Sequence, residues 1–191
     1  QEVATALYVG IMTDTGSFSF GMTDEQPYLI AAELVKSGID DRWIHQQVYN
    51  NNSLNRLQLT GYALSSKLEV FAEGSWAMIS LSKAELKQHH YRPGDTEGLV
   101  NQALSVEGVQ MAVLLTEQSG MIRLSFRSQG DFAVNTIASE HFNGGGHKNA
   151  AGGRSYTTLN KTIEQLRNII KVNTVTLEDN RKNTLKTVVN C

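Results

Sequence analysis

The residues with the clearest chemical potential lie in the glycine-rich segment 142–153. Backbone without a Cβ atom reaches φ angles that other residues avoid, so successive N–H groups can converge into a concave nest for an anion. His147 follows the glycine run directly, and its imidazole can donate to a phosphoryl oxygen or change protonation near neutral pH. A glycine run alone is typical of a flexible surface loop, but the histidine favours a phosphate-binding loop. The residues assigned to that role are Gly144, Gly145, Gly146, His147, Ala150 and Gly152.

A second candidate group ends the strand pattern that precedes this segment. Arg127 and Ser128 follow an apolar run, and a strand end is a rigid place for a guanidinium, which suits bidentate phosphate contacts. The succession of strand, turn, helix and glycine segment is expected to bring Arg127, Ser128 and His147 to one end of a sheet. An exposed arginine at a strand end is the ordinary alternative. Glu97 and Asn101 either line the same end or form a surface pair on a helix.

Asp14 is the candidate metal ligand. It lies where a helical pattern gives way to a Thr-Asp-Thr-Gly turn. A carboxylate flanked by two threonine hydroxyls and a glycine suits a hard cation that prefers oxygen ligands. A turn aspartate that binds its own backbone fits the spacing equally well. No catalytic nucleophile is identifiable, since the sequence shows no recognisable triad and its single cysteine is the terminal Cys191.

Composition limits the classes of function. The 191 residues carry a formal net charge of −2, with a pI near 6.2. That balance argues against a general nucleic-acid coat, so any anionic ligand requires a local cationic cluster. No apolar run approaches the ~18 residues of a membrane span, and no signal-peptide pattern opens the sequence. The lone cysteine fits a reducing compartment, and we expect a cytoplasmic protein.

Helical patterns fill the first third of the sequence. The spacing of apolar residues predicts helices over residues 2–12, 23–36, 40–49 and 54–66. Thr23 and Gln26 have the spacing of a capping box, and Asp40 is a second N-cap candidate. The chain opens in a helical pattern without an initiator methionine, so we expect a fragment or a processed product. A polar break places a domain boundary near residue 50, and residues 51–67 are predicted to be a connector helix.

Residues 68–171 alternate strand and helix patterns. Two strand pairs are expected, 68–72 with 76–81 and 109–116 with 121–127, and a last strand at 154–157. Helices are expected over 83–90, with Ser82 as the N-cap, and over 97–104, 131–142 and 159–171. The predicted fold class is therefore α/β, with a helical segment over 1–50, the connector, and a mixed α/β domain over 68–171. The polar tail 172–191 is expected to pack poorly.

Two segments together resemble a known family. Asp14-Thr15-Gly16-Ser17-Phe18 and the distant run Gly144-Gly145-Gly146-His147-Lys148-Asn149-Ala150-Ala151-Gly152 are similar to motifs of the DHH-family phosphoesterases. These proteins carry a DHH catalytic domain followed by a DHH-associated domain. Residues 96–101 and 126–128 resemble the bacterial branch of oligoribonucleases and adenosine 3′,5′-bisphosphate phosphatases. The resemblance implies that residues 1–50 end a DHH catalytic domain, as a helical remnant, and that residues 68–171 form the DHH-associated, substrate-binding domain.

The resemblance implies a phosphoesterase in which two Mn²⁺ ions activate a water for in-line attack on phosphorus. Asp14 matches the last metal ligand of the DHH domain. Arg127, Ser128 and the loop with His147 match groups that hold the substrate phosphate or terminal nucleotide. The implied substrates are short RNA or DNA oligonucleotides or nucleoside 3′,5′-bisphosphates, without a membrane partner; a homodimer stays an open alternative. The Asp-His-His triplet is absent from this sequence, and one carboxylate cannot hold two metal ions, so we expect this chain alone to be inactive.

Two other functions stay open on the sequence alone. A stand-alone nucleic-acid-binding module, like the associated domains of alanyl-tRNA synthetase-like proteins, would need the glycine loop but would have no use for a metal ligand at Asp14. A cyclic-dinucleotide phosphodiesterase or an exopolyphosphatase of the same superfamily would use the same architecture. The cleft between the domains would then select the substrate.

Overall fold

The computed structural model describes residues 1–18, 24–71 and 75–171. The chain divides into two compact units, Gln1–Ser53 and Leu54–Cys191. The boundary between the two units lies a few residues C-terminal to the predicted position near residue 50. The helix that we predicted as a connector belongs to the second unit, because Leu59 and Ala63 are fully buried in that unit's core.

The first unit consists of three helices. They are α1 (Glu2–Asp14), α2 (Gln26–Lys36) and α3 (Asp41–Tyr49). The Asp40 side chain accepts a hydrogen bond of 2.9 Å from the backbone N–H of Trp43, which confirms Asp40 as the N-cap of α3. The capping box predicted at Thr23 lies outside the described residues. The small core of this unit contains Tyr8, Met12, Ala31, Ile39 and Ile44.

The second unit is built on a six-stranded mixed sheet. Its strands are β1 (Leu68–Phe71), β2 (Trp76–Leu81), β3 (Met111–Gln118), β4 (Met121–Ser128), β5 (Gly145–His147) and β6 (Ala150–Ser155). Their order across the sheet is β1-β2-β3-β4-β6-β5, and only the β2–β3 pair is parallel among these strands. The helices are α4 (Leu54–Tyr62), which continues as a π-helix (Ala63–Lys67), α5 (Lys83–Gln88), α6 (Leu99–Leu104), α7 (Val134–His141) and α8, residues 159–171. None of the described helices is long and apolar enough to cross a membrane.

The predicted α/β class and both predicted strand pairs are confirmed. Two expectations near the glycine segment were wrong. The last strand is Ala150–Ser155 and not 154–157, and Gly145–His147 is a strand and not a loop. Glycine carries no side chain that could show an alternating pattern, so local sequence does not indicate either strand. Both strands form because of their partners in the sheet: β6 pairs with β4, and β5 pairs with β6.

The two faces of this sheet are covered differently. One face packs its apolar side chains, including Val113, Leu124 and Phe126, against α7 and α8. On the other face, α4, α5 and α6 pack against β2 and β3, where Ile79 and Leu114 are buried. These helices leave β4, β6 and β5 largely uncovered on that face. The uncovered strands form the base of a cleft of about 1370 Å³.

Glu85 anchors the start of α5. Its carboxylate and the Ser82 hydroxyl form a capping box, which confirms Ser82 as the N-cap of this helix. The Tyr62 hydroxyl donates to the same carboxylate at 2.6 Å, and the Lys67 ammonium lies 2.9 Å from it. Burial acts to raise the pKa of Glu85, but the hydrogen bonds from Tyr62, Ser82 and Lys67 outweigh burial and lower that pKa to about 2.

The free energy of unfolding is therefore expected to depend on the charge of Glu85. A carboxyl whose pKa falls from 4.5 to about 2 on folding stabilises the native state above pH 4.5. That contribution, at most about 3 kcal/mol before solvent screening reduces it, is lost as the pH falls toward 2. Urea unfolding between pH 5.5 and 2.5 should show the gap between wild type and Glu85→Gln narrowing as the pH falls. Glu107→Gln, at an exposed carboxylate, is the control; a gap for Glu85→Gln that does not change with pH would contradict the expectation.

Candidate functional site

Three cross-strand rows of residues form the base of the cleft. Residues that pair in register on neighbouring strands project to the same face of a sheet. The first row is Ala112, Arg127, Ala150 and His147. The second row is Leu114, Ser125, Gly152 and Gly145. The third row is Thr116, Arg123 and Arg154. All of these residues except Ala112 line the cleft.

The first row places Arg127 and His147 on the same face of the sheet. They lie two strands apart, so about 10 Å separates their Cα atoms. The residue between them, Ala150, carries only a methyl group, which leaves the space between the guanidinium and the imidazole open. The two cationic or ionisable groups expected at one end of the sheet therefore face a common space.

Arg127 is half-buried and keeps its charge without an ion pair. One guanidinium nitrogen donates a 2.9 Å hydrogen bond to the carbonyl oxygen of Phe126, the preceding residue. Burial lowers the pKa of the Arg127 guanidinium, and the negative charge of Glu97 acts in the opposite direction. Within the described residues, no carboxylate forms an ion pair with Arg127. A partly desolvated and unpaired guanidinium attracts an anion more strongly than one in bulk water does.

The glycine run is an extended strand and not the predicted nest. Along β5 the N–H groups alternate in direction and do not converge, since Gly145–His147 pairs with β6. Gly144 and Gly146 permit a close approach of two backbones: a Cβ at Gly144 would lie 2.0 Å from the Gly152 carbonyl oxygen, and one at Gly146 would lie 2.5 Å from the Ala150 carbonyl oxygen. Gly145, in contrast, has open space around it.

The middle row makes the base of the cleft flat. Gly145 and Gly152 are paired with each other, and Gly152 is paired with Ser125, so one hydroxyl is the only polar side chain across these three strands. A Cβ atom at Gly152 would meet nothing closer than 3.7 Å. We call Gly145 and Gly152 the glycine floor. A ligand can approach the backbone over this floor, between the side chains of the first and third rows.

Ser128 does not join the cleft, and this corrects our expectation for it. Consecutive residues of a strand project to opposite faces, so Ser128 and Arg127 cannot share one. The Ser128 hydroxyl is buried, donates to the Phe132 carbonyl oxygen at 2.6 Å and accepts from the Asn149 side chain at 2.9 Å. It ties the β5–β6 turn to the loop before α7. Ser128 is therefore an anchor of the fold and is removed from the candidate set.

Asp14 lies in the first unit, exposed at the end of α1. The hydroxyls beside it bind the helix backbone: Thr13 donates to the Val9 carbonyl oxygen at 2.9 Å, and Thr15 donates to the Ile11 carbonyl oxygen at 2.7 Å. No cluster of three or more His, Cys, Asp or Glu side chains suited to a metal ion occurs in residues 1–18, 24–71 and 75–171. A pair of Mn²⁺ ions therefore does not fit the described residues, and Asp14 alone does not make a site.

Sequence reasoning missed part of the cleft. Neither Arg123 nor Arg154 was among the predicted site residues, yet both line the cleft beside the glycine floor. A signal for Arg123 was available, since residues two and four apart on a strand share a face and Arg123 precedes Arg127 by four positions. Glu97 and Asn101 line the cleft on the side of α5 and α6. Of the two alternatives given for them, this agrees with the one that places them at the site.

The sequence pattern of the DHHA1 domain matches residues 77–178, which is more than half of the chain. The chain belongs to the DHHA1 family. The resemblance to a DHH-associated domain is thereby confirmed. The matched residues include every member of the three cleft rows.

Two of the similar proteins are named as bifunctional oligoribonucleases and PAP phosphatases. The bifunctional oligoribonuclease and PAP phosphatase NrnA of Bacillus subtilis is 29% identical over 156 residues, which are 82% of this chain and 48% of the relative. A Streptococcus mutans protein that also carries the NrnA name is 31% identical over 174 residues, 90% of this chain and 54% of the relative. The chain thus spans about half the length of these curated relatives. Their names support a hydrolase family.

A solved structure has the same fold. An exopolyphosphatase-related protein from Bacteroides fragilis is 40% identical to this chain and superposes with a TM-score of 0.86. The match covers 92% of the DHHA1 chain and 51% of that protein. The mixed α/β architecture described above is therefore shared with a protein about twice as long.

Proposed function

We propose that this chain binds the substrate of a phosphoesterase that hydrolyses short oligoribonucleotides or nucleoside 3′,5′-bisphosphates. The observation that carries the proposal is the first row of the cleft, where Arg127 and His147 face one space across Ala150. In this proposal a terminal phosphate lies between the guanidinium and the imidazole. The Arg127 fork supplies two parallel donors, and His147 supplies a third. The rest of the ligand lies over the glycine floor.

The names of the relatives support this substrate class. The Bacillus subtilis protein is an oligoribonuclease and a PAP phosphatase, and it shares 82% of this chain's length. Manganese is part of the proposal for the complete protein, with Asp14 as one ligand. No chemical step is assigned to the residues of this chain, because the described residues hold no metal cluster. Their role is to bind the phosphate, orient the nucleotide and hold it against the glycine floor.

Polyphosphate is a second candidate substrate, and one observation favours it. Among the described residues that line the cleft, Tyr91 is the only phenylalanine, tyrosine or tryptophan. Stacking on aromatic rings is the usual way to hold unpaired bases, so this cleft is better equipped for phosphate groups than for bases. The solved structure with the same fold is named an exopolyphosphatase-related protein. Both candidates share the same anionic chemistry at Arg127 and His147.

The proposal is tested by calorimetric titration of the 191-residue chain with three probes: a 5′-phosphorylated diadenylate, the same dinucleotide without the 5′-phosphate, and tripolyphosphate. We expect binding that requires the phosphate. Equal affinity for both dinucleotides would contradict the phosphate site, and tighter binding of tripolyphosphate would favour the second candidate. With Mn²⁺ present, we expect no release of mononucleotide by this chain alone, and turnover in an enzyme-free background would overturn that part of the proposal.

A further inference from the structure

The third row of the cleft places two arginines directly opposite each other. Arg123 on β4 is the register partner of Arg154 on β6, and both side chains are exposed on the cleft face. Like charges at directly opposed positions of an antiparallel pair destabilise a sheet. Within the described part of the chain, neither guanidinium has a carboxylate partner or a side-chain hydrogen bond. Packing therefore gives no reason for this pair.

The arginine pair and Arg127 lie in different rows of the cleft. Arg123 and Arg127 are four residues apart on β4, so their Cα atoms are separated by about 14 Å. Between them lies the second row, in which Ser125 and Gly152 leave the base of the cleft shallow. The cleft therefore has positively charged side chains in its first and third rows and an uncharged second row between them.

Two further cations border the same end of the cleft. Lys83 and Lys87 on α5 line it together with Arg123 and Arg154, and the Lys83 ammonium lies 3.3 Å from the Ser119 hydroxyl. The carboxylate in this part of the lining is Glu117, which accepts a 2.9 Å hydrogen bond from the backbone N–H of Lys83. Positive charge therefore predominates at this end in a chain whose net charge is −2.

We propose that Arg123 and Arg154 form a second anion site that binds an internal phosphate of a single-stranded oligonucleotide whose terminal phosphate lies at Arg127 and His147. The inference rests on the proposed function, since it needs the first site to fix one end of the ligand. The two sites together measure ligand length. A mononucleotide reaches only the first site, whereas a chain of several nucleotides crosses the glycine floor and reaches both.

The test compares 5′-phosphorylated oligoadenylates of one to four nucleotides, titrated into the 191-residue chain and into its Arg123→Gln/Arg154→Gln variant. We expect unchanged affinity for the mononucleotide and about a tenfold loss for the tetranucleotide. The slope of log affinity against log salt concentration should also fall by about 0.7 for each phosphate contact that is lost with the tetranucleotide. Lys161→Gln, at an exposed cation on α8, removes the same charge away from the cleft and should change neither quantity.

Arg123→Glu separates a ligand role from a structural one. The new carboxylate would face Arg154, so the melting temperature is expected to rise by about 1–3 °C while tetranucleotide affinity falls. A lower melting temperature would assign the arginine pair to the fold and overturn the inference. So would an equal loss of affinity at every length, or no loss at any length. If wild type binds no phosphorylated probe, the proposed function fails first, and that result is distinct from these.

Discussion

Replacement of Arg127 by glutamine is expected to weaken binding of a 5′-phosphorylated diadenylate by roughly 30-fold, on the order of 2 kcal/mol. The guanidinium is half-buried, and its only hydrogen bond within the described residues is to the Phe126 carbonyl oxygen, so its remaining donors are free to bind an anion. Glutamine keeps part of the stem that packs beside the strand but loses the charge and the fork. Isothermal titration of the folded variant measures the loss directly.

Two comparisons make this result specific. Arg127→Lys keeps the positive charge but not the planar fork, and we expect a loss between those of wild type and Arg127→Gln. Lys161→Gln removes one charge on α8 and controls for the general effect of net charge. If Arg127→Gln binds within twofold of wild type while its melting curve is unchanged, Arg127 is not a phosphate ligand. A loss equal to that of Lys161→Gln would have the same meaning.

Gly144→Ala is expected to destabilise the second unit by about 3 kcal/mol, a fall of roughly 10 °C in melting temperature. A Cβ at this position would lie 2.0 Å from the Gly152 carbonyl oxygen and 2.7 Å from the Gly153 Cα. Both neighbours are backbone atoms of β6, so no side chain can rotate away to relieve the overlap. The start of β5 must then move away from β6, and His147 moves with it. Differential scanning calorimetry measures the change.

Gly145→Ala is the matched control for this prediction. It is the next residue in the chain, has no positive φ angle, and a Cβ there would meet no atom within 4 Å. The melting temperature should therefore stay within about 1–2 °C of wild type. The new methyl group would project over the glycine floor, so weaker dinucleotide binding without loss of stability is expected. Equal destabilisation by both substitutions would show that the close approach of β5 to β6 is not the cause.

Much of the local structure follows from the sequence. Asp40 and Ser82 were predicted as N-caps from their place before a helical pattern, and each accepts the expected backbone hydrogen bond. The apolar run at residues 109–116, the alternation at 121–127 and the Gln118-Ser119-Gly120 turn between them predicted the β3–β4 pair, because each is a local property of the sequence. The chemical types in the candidate site, a guanidinium and an imidazole, were also apparent from the sequence before any fold was known.

The strand period also explains one error. Arg127 and Ser128 were assigned to one site, yet adjacent residues on a strand project to opposite faces. The structure buries the Ser128 hydroxyl against Phe132 and Asn149 on the face that packs against α7. The same rule, applied along the strand, would have selected Arg123 in place of Ser128. The error therefore lay in the use of the pattern and not in missing information.

By itself, the sequence determined the family motif, the helix caps, the strand patterns of β3 and β4, and the residue types available to bind an anion. Only the tertiary structure decided that Gly145–His147 is a strand, because glycine shows no alternation and its conformation depends on the partner strand. The tertiary structure also decided which face of the sheet stays open. The alternation of side chains along a strand assigns residues to one face or the other. Which face stays open depends on α4, α5 and α6, which pack mainly over β2 and β3 and leave Arg123, Arg127 and Arg154 facing one cleft.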